Sequence, residues 1–197
     1  MKQRYYLAGY NLADWLSIYR IISFPVLLYF VLMGQRELFS WFLLASFFTD
    51  AIDGFIARKL HIESETGAKL DSVGDTLTLV ISVTGLLQFE WAFITEHAIA
   101  LSTLVSLYLL EMLLSYIRFG KASSFHTYLD KVSLFMQALL ILSLLFIGYN
   151  PWIFYAALIT GFASTIEEII LVFSLDKYRT NIKGLLWLDK HKLRSFN

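Results

Sequence analysis

Four aspartates, Asp50, Asp53, Asp71 and Asp75, fall within the stretch TDAIDGFIARKLHIESETGAKLDSVGDT at 49–76, flanked by runs as apolar as FSWFLLASFF and LTLVISVTGLL. An aspartate at the centre of a lipid-facing helix costs about 2.5–3.5 kcal/mol on insertion scales. The four must therefore face something that compensates them. Carboxylates brought together raise one another's pKa, so they stay ionised only beside a counter-charge. All-oxygen ligation suits Mg2+, Mn2+ or Ca2+ rather than zinc or copper. Four carboxylates suit two such ions, and paired divalent cations commonly clamp a phosphoryl group during displacement. Arg58 continues the same segment, placed to hold phosphate oxygens. Gly54 and Ala57 remove side-chain bulk where a ligand could approach closely, and Gly67 does the same in the following turn. The competing explanation is structural ion pairing, for example of Asp50 with a lysine from another helix. Too few cations lie at that depth for pairing to cover all the aspartates.

The elements that must position these residues are helices. Asp50, Asp53 and Ala57 stand at i, i+3 and i+7, and Asp71 and Asp75 at i and i+4, so each group shares one helical face. The polar run Glu63–Gly67 makes the two helices an antiparallel pair. Asp53 and Asp71 then lie about 10 and 6 Å below the turn, and the other two one turn deeper, so all four can converge in one pocket. Since a span needs about 20 mostly apolar residues, six are expected, at roughly 14–33, 38–60, 68–89, 93–118, 125–148 and 151–175. Gly34, Glu63–Gly67, Glu90, GKASS at 120–124 and GYNP at 148–151 supply the breaks, and Pro151 suits a helix start.

Composition agrees. The chain has 197 residues, is 57% hydrophobic, and has a positive mean hydropathy, well beyond the roughly 45–50% apolar content of a soluble domain. It reads as an all-α integral membrane bundle forming a single domain over 1–197, with neither linker nor internal repeat. A formal net charge of zero argues against nucleic acid as a partner. The absence of cysteine excludes disulfides, thiolate metal sites and cysteine nucleophiles. The first apolar segment lacks the features of a cleaved signal peptide and is expected to be kept. Of the 16 lysines and arginines, all but Arg36 fall on the side that holds both termini and the loops after spans two and four. That bias places both termini in the cytoplasm. The segment 1–13, with Tyr5, Tyr6 and Tyr10 beside Lys2 and Arg4, reads either as an interfacial amphipathic helix or as an aromatic-belt tail.

The pattern D-x2-D-G-x2-A-R-x8-G-x3-D-x3-D, met by Asp50, Asp53, Gly54, Ala57, Arg58, Gly67, Asp71 and Asp75, resembles the signature of the CDP-alcohol phosphotransferase family of membrane enzymes. The resemblance implies transfer of a substituted phosphate from a CDP-linked lipid donor, usually CDP-diacylglycerol, to an alcohol, with release of CMP. It implies two divalent cations, Mg2+ or Mn2+, on Asp50, Asp53, Asp71 and Asp75. Asp75 would also take the acceptor hydroxyl's proton, and Gly54, Ala57, Arg58 and Gly67 would surround the CDP moiety. It further implies a homodimer whose site opens to the cytosol while the acyl chains stay in the bilayer of the cell membrane.

The start NLADWLSIYRIISFP, with Asn11, Arg20 and Pro25, resembles the opening helix of phosphatidylglycerophosphate and cardiolipin synthases, although Thr76 stands where those enzymes commonly carry lysine. This makes glycerol 3-phosphate the first acceptor to consider, ahead of inositol phosphate, serine or phosphatidylglycerol. Arg118, Lys121, His126 and Lys131 form the cationic cluster that such an acceptor would need. For Arg118 and Lys121, membrane anchoring is an equal alternative; His126 also reads as a structural histidine; Lys131 is expected deeper in its helix. Glu111, Glu167 and Glu168 read as intramembrane carboxylates that line the acceptor cavity or pair with Arg20 or Arg118. A transporter for divalent cations or small solutes is the rival class. Paired repeats and helices broken near the midplane are the marks of transporters, and the sequence shows neither.

Overall fold

The computed structural model describes residues 6–7, 10–60, 65–121, 125, 127–175 and 182–185, with side chains of 6–7, 10, 12–13, 53–60, 65–66 and 68 outside that description. Its helices are α1 (Leu12–Leu32), α2 (Arg36–Leu60), α3 (Glu65–Phe89), α4 (Trp91–Glu96), α5 (Ala98–Phe119), α6 (Tyr128–Phe146) and α7 (Pro151–Ser174). Five are long and apolar enough to cross a membrane, over Asp14–Leu32, Lys69–Phe89, Ala98–Phe119, Tyr128–Phe146 and Pro151–Ser174. Large apolar side chains such as Ile22, Leu109, Phe135 and Ile159 face outward along them, the inverse of a soluble protein's surface. The chain is a multi-pass membrane protein. Helix α2 has the length of a span at 25 residues, but Arg36, Glu37, Asp50, Asp53, Arg58 and Lys59 interrupt its apolar content.

The helix ends follow from local chemistry. Asn11 accepts a hydrogen bond from the Asp14 amide and Asp14 accepts one from the Asn11 amide, both at 2.9 Å, a capping box that starts α1. Tyr6–Leu7 pairs antiparallel with Tyr10–Asn11 as a short β1–β2 ladder. The interfacial helix expected within 1–13 is therefore absent among the described residues, because the cap at Asn11 makes Leu12 the first helical residue. Gly120 closes α5 in the left-handed region at φ 69°, donating to the Tyr116 carbonyl, a conformation that favours glycine. Asn150 caps α7 through Trp152 and Ile153, ahead of Pro151 at the first helical position.

Three expected boundaries shift. Helix α3 begins at Glu65, so Gly67 lies in its first turn and not in the connection; an acidic residue there meets the positive end of the helix dipole. The fourth span is broken at His97 into α4 and α5, where the His97 Nδ1 lies 3.1 Å from the Phe93 carbonyl and its ring packs among Phe93, Tyr149 and Phe154. Helix α6 begins at Tyr128, not 125, because the Phe125 and Tyr128 backbones bond to Ile182 and Lys183 instead.

The chain divides into two compact units, residues 1–92 with 144–148, and 93–143 with 149–197. In the first, α1 packs along both α2 and α3, which touch each other much less. Leu27, Val31, Phe39, Leu43 and Ile81 fill its interior. A Cβ on Gly85 of α3 would stand 2.2 Å from the Phe39 ring of α2, so glycine is what admits that ring. The buried hydroxyls of Ser40, Ser46, Thr78 and Ser82 each donate to the carbonyl four residues earlier in their own helix. Arg36 pairs with Glu90 and donates to the Leu144 and Leu145 carbonyls. In the second unit α5 packs on α7, and Phe125, Leu171, Val172 and Leu175 form a buried cluster that Ile182 and Leu185 join.

Candidate active site

Asp50 enters the site from α2, and Asp71 and Asp75 from one face of α3. One carboxylate oxygen from each lies within 4.8 Å of the others. The convergence expected from spacing is thus present for these three. Asp53, Gly54, Ala57 and Arg58 occupy the last turns of α2, and their side chains lie outside the described residues. Gly67 sits one turn before Asp71 on α3.

A fourth side chain, which the sequence reading did not place here, completes the cluster. Arg20 of α1 is fully buried, donating from Nη2 to Asp71 Oδ1 at 2.5 Å and from Nη1 to Asp50 and Asp75. The expectation that too few cations lie at this depth for ion pairing is corrected at Arg20, which pairs with Asp50, Asp71 and Asp75 because α1 is the helix packed on both α2 and α3. Gly74 of α3 faces the guanidinium; a Cβ there would stand in ordinary contact, 3.4 Å from Arg20 Cζ and Nε. The carboxylates are about half exposed, with side-chain accessibilities of 47%, 46% and 54% for Asp50, Asp71 and Asp75. The guanidinium is therefore the floor and the carboxylates the open rim.

Among the described residues, three carboxylates meet this one guanidinium. At an effective dielectric near 20, two unit charges about 5 Å apart repel by roughly 3 kcal/mol, less where solvent reaches them. The donor set is all oxygen, clustered, and in charge excess, which fits a divalent cation of the Mg2+ or Mn2+ type. The fit rests on these donors and this charge.

The expected acceptor cluster is less convergent. Arg118 donates to the Phe173 and Leu175 carbonyls at 3.0 and 2.8 Å, closing the end of α7 where a cation meets the helix dipole. Lys121 is exposed after the Gly120 cap. Lys131 is not deep in its helix as expected: with α6 starting at Tyr128 it is exposed in the first turn, its Nζ 5.7 Å from the Tyr128 ring centroid. His126 lies outside the described residues. Glu111 and Glu168 are buried, and Glu167 accepts a hydrogen bond from the Leu185 amide at 3.0 Å.

Comparison with known proteins bears on the kind of protein this is. The sequence profile described as CDP-alcohol phosphatidyltransferase matches residues 10–163. A CDP-diacylglycerol–glycerol-3-phosphate 3-phosphatidyltransferase of Wigglesworthia glossinidia brevipalpis is 31% identical over 87 residues, 42% of this chain and 47% of that protein. A cardiolipin synthase (CMP-forming) / mitochondrial hydrolase fusion protein of Schizosaccharomyces pombe is 33% identical over 66 residues, 34% of this chain and 11% of that protein. The aligned regions thus span under half of the first of these relatives and about a tenth of the second. No solved structure matches the chain.

Proposed function

The chain belongs to the CDP-alcohol phosphatidyltransferase family, and from that premise we propose that it transfers the phosphatidyl group of a CDP-linked lipid, CDP-diacylglycerol, to an alcohol, releasing CMP. The observation that carries this reading is the convergence of Asp50, Asp71 and Asp75 from two helices onto one open rim. Divalent cations, two of Mg2+ or Mn2+ held by Asp50, Asp53, Asp71 and Asp75, would neutralise the diphosphate and the leaving CMP. Asp75 accepts the proton of the attacking hydroxyl. The hydroxyl oxygen bonds to the phosphorus that carries the lipid, and the anhydride bond to CMP breaks. Gly54, Ala57 and Gly67 leave room for the CDP moiety, and Arg58 grips phosphate oxygens as a planar fork.

Glycerol 3-phosphate is the acceptor we favour, supported by the opening helix of the chain and by the activity for which the Wigglesworthia relative is named. Arg118, Lys121, His126 and Lys131 are proposed to receive its phosphate, Lys121 and Lys131 being exposed. The same chemistry with phosphatidylglycerol, serine or inositol phosphate is the second reading, supported by the name of the cardiolipin synthase relative. A cation or solute transporter is the reading of different class, and the family membership weighs against it.

Residues 1–197 are proposed to act as one domain, since the family match crosses both compact units. Helix α2 is proposed as the sixth span, its polar end facing the site. Lysine and arginine placement supports cytoplasmic termini and a cytosol-facing site in the cell membrane. A homodimer is proposed from the family alone. The test is CMP release by purified protein in lipid, supplied with CDP-diacylglycerol, Mn2+ or Mg2+ and one alcohol at a time, for the natural chain and Asp71→Asn. Release with glycerol 3-phosphate alone, lost in the variant, is the expected result. Binding of metal and CDP without release from any alcohol would move the substrate elsewhere, and no binding at all would refute the catalytic reading.

A further inference from the structure

We propose that Arg20 is the positioning residue of the carboxylate site, a buried counter-cation that holds Asp50 of α2 against Asp71 and Asp75 of α3 and whose charge lowers the site's affinity for divalent cations. The inference rests on the metal-binding reading above and extends it to a residue outside the aspartate motif.

An arginine that merely anchored a helix to the membrane surface would extend its head into water. Arg20 does the opposite: its side chain has no exposure, and its two terminal nitrogens reach carboxylates on two other helices. Gly74 of α3 lies against the guanidinium. The Ser23 hydroxyl donates to the Arg20 carbonyl at 2.9 Å, and the capping box at Asn11 and Asp14 fixes the start of the same helix. A planar fork spreads its donors over separate nitrogens and so reaches carboxylates on two helices, whereas a lysine gathers its three donors at one point on a flexible stem.

Two consequences pull in opposite directions. Arg20 gathers the carboxylates into ligand distance of one another, and its charge repels any cation that binds beside it. A unit charge a few ångströms from a divalent cation is the larger effect at such short range. Removing the charge should therefore tighten metal binding while weakening the protein without metal. A residue with a purely structural role would give looser binding or none.

The experiment uses the full chain in detergent, with Mn2+ alone as probe. Unbound Mn2+ is followed by electron paramagnetic resonance, and thermal unfolding is measured in chelator and in saturating Mn2+, for the natural chain, Arg20→Gln and Arg20→Lys. We expect Arg20→Gln to unfold earlier in chelator, to show a larger Mn2+-induced rise in Tm, and to bind Mn2+ about tenfold or more tightly. Arg20→Lys, which keeps the charge, should show the lower Tm in chelator without the tighter binding. If Arg20→Gln can be isolated folded only when Mn2+ is present, the proposal stands; if Mn2+ does not recover it, or if it binds Mn2+ no more tightly than the natural chain, the proposal is overturned. Absence of Mn2+ binding by the natural chain would instead refute the metal reading on which it rests.

Discussion

Gly85 offers the sharpest test of how the helices that carry the carboxylates are spaced. A methyl group there would lie 2.2 and 2.4 Å from Phe39 Cζ and Cε1, well inside contact distance. Phe39 has no exposure, and its ring centroid lies 5.5 Å from that of Phe89, so it has little space to retreat. Gly85→Ala therefore overpacks the α2–α3 contact, at a cost of about 1–3 kcal/mol. For a chain of this size that corresponds to a fall in Tm of roughly 2–12 °C. Thermal unfolding in one detergent, for Gly85→Ala, Phe39→Leu and the double variant, measures it. The leucine should relieve the clash, so the double variant should be more stable than the sum of the single losses predicts. Strict additivity, or a Gly85→Ala protein that unfolds with the natural chain, would refute the claim that this contact sets the spacing.

Two further predictions concern the proposed chemistry. Asp75→Asn should abolish CMP release while CDP-diacylglycerol binding is partly kept; equal loss of both, measured by turnover and by equilibrium binding, would remove the assignment of Asp75 as base. Arg58→Lys should weaken donor binding because a two-pronged grip on phosphate is lost, and an unchanged donor affinity would take Arg58 out of the site.

The aspartate cluster was legible because helical spacing is a local property. Asp71 and Asp75 at i and i+4 must share a face, and a short connection must bring α2 back alongside α3. Arg20 was not legible in the same way. A single arginine in an apolar run states that it needs a partner, but the partner depends on which helices α1 packs between. The same limit hid Gly74 and Gly85, whose contacts, Arg20 and Phe39, lie 54 and 46 residues earlier in the chain. Arg36 stood out as the solitary cation of its side, yet its bond to Glu90 and to the α6 carbonyls depends on where three helices end. Boundaries failed where polar contacts overrode apolar content, local ones to Phe93 at His97 and distant ones to Ile182 and Lys183 at Tyr128.

The hydroxyls of Ser40, Ser46, Thr78 and Ser82 satisfy themselves within their own helices, and this determines how α1, α2 and α3 hold together. Ser46 also approaches the Ser23 hydroxyl of α1, at 3.4 Å. Where the hydroxyls are satisfied in this way, the fit of the three helices is steric along the apolar length and ionic at Arg20. The steric fit is exacting where the Phe39 ring meets Gly85, and at Arg20 the fit depends on charge. The apolar length and the reactive end are thus held by different forces along one set of helices.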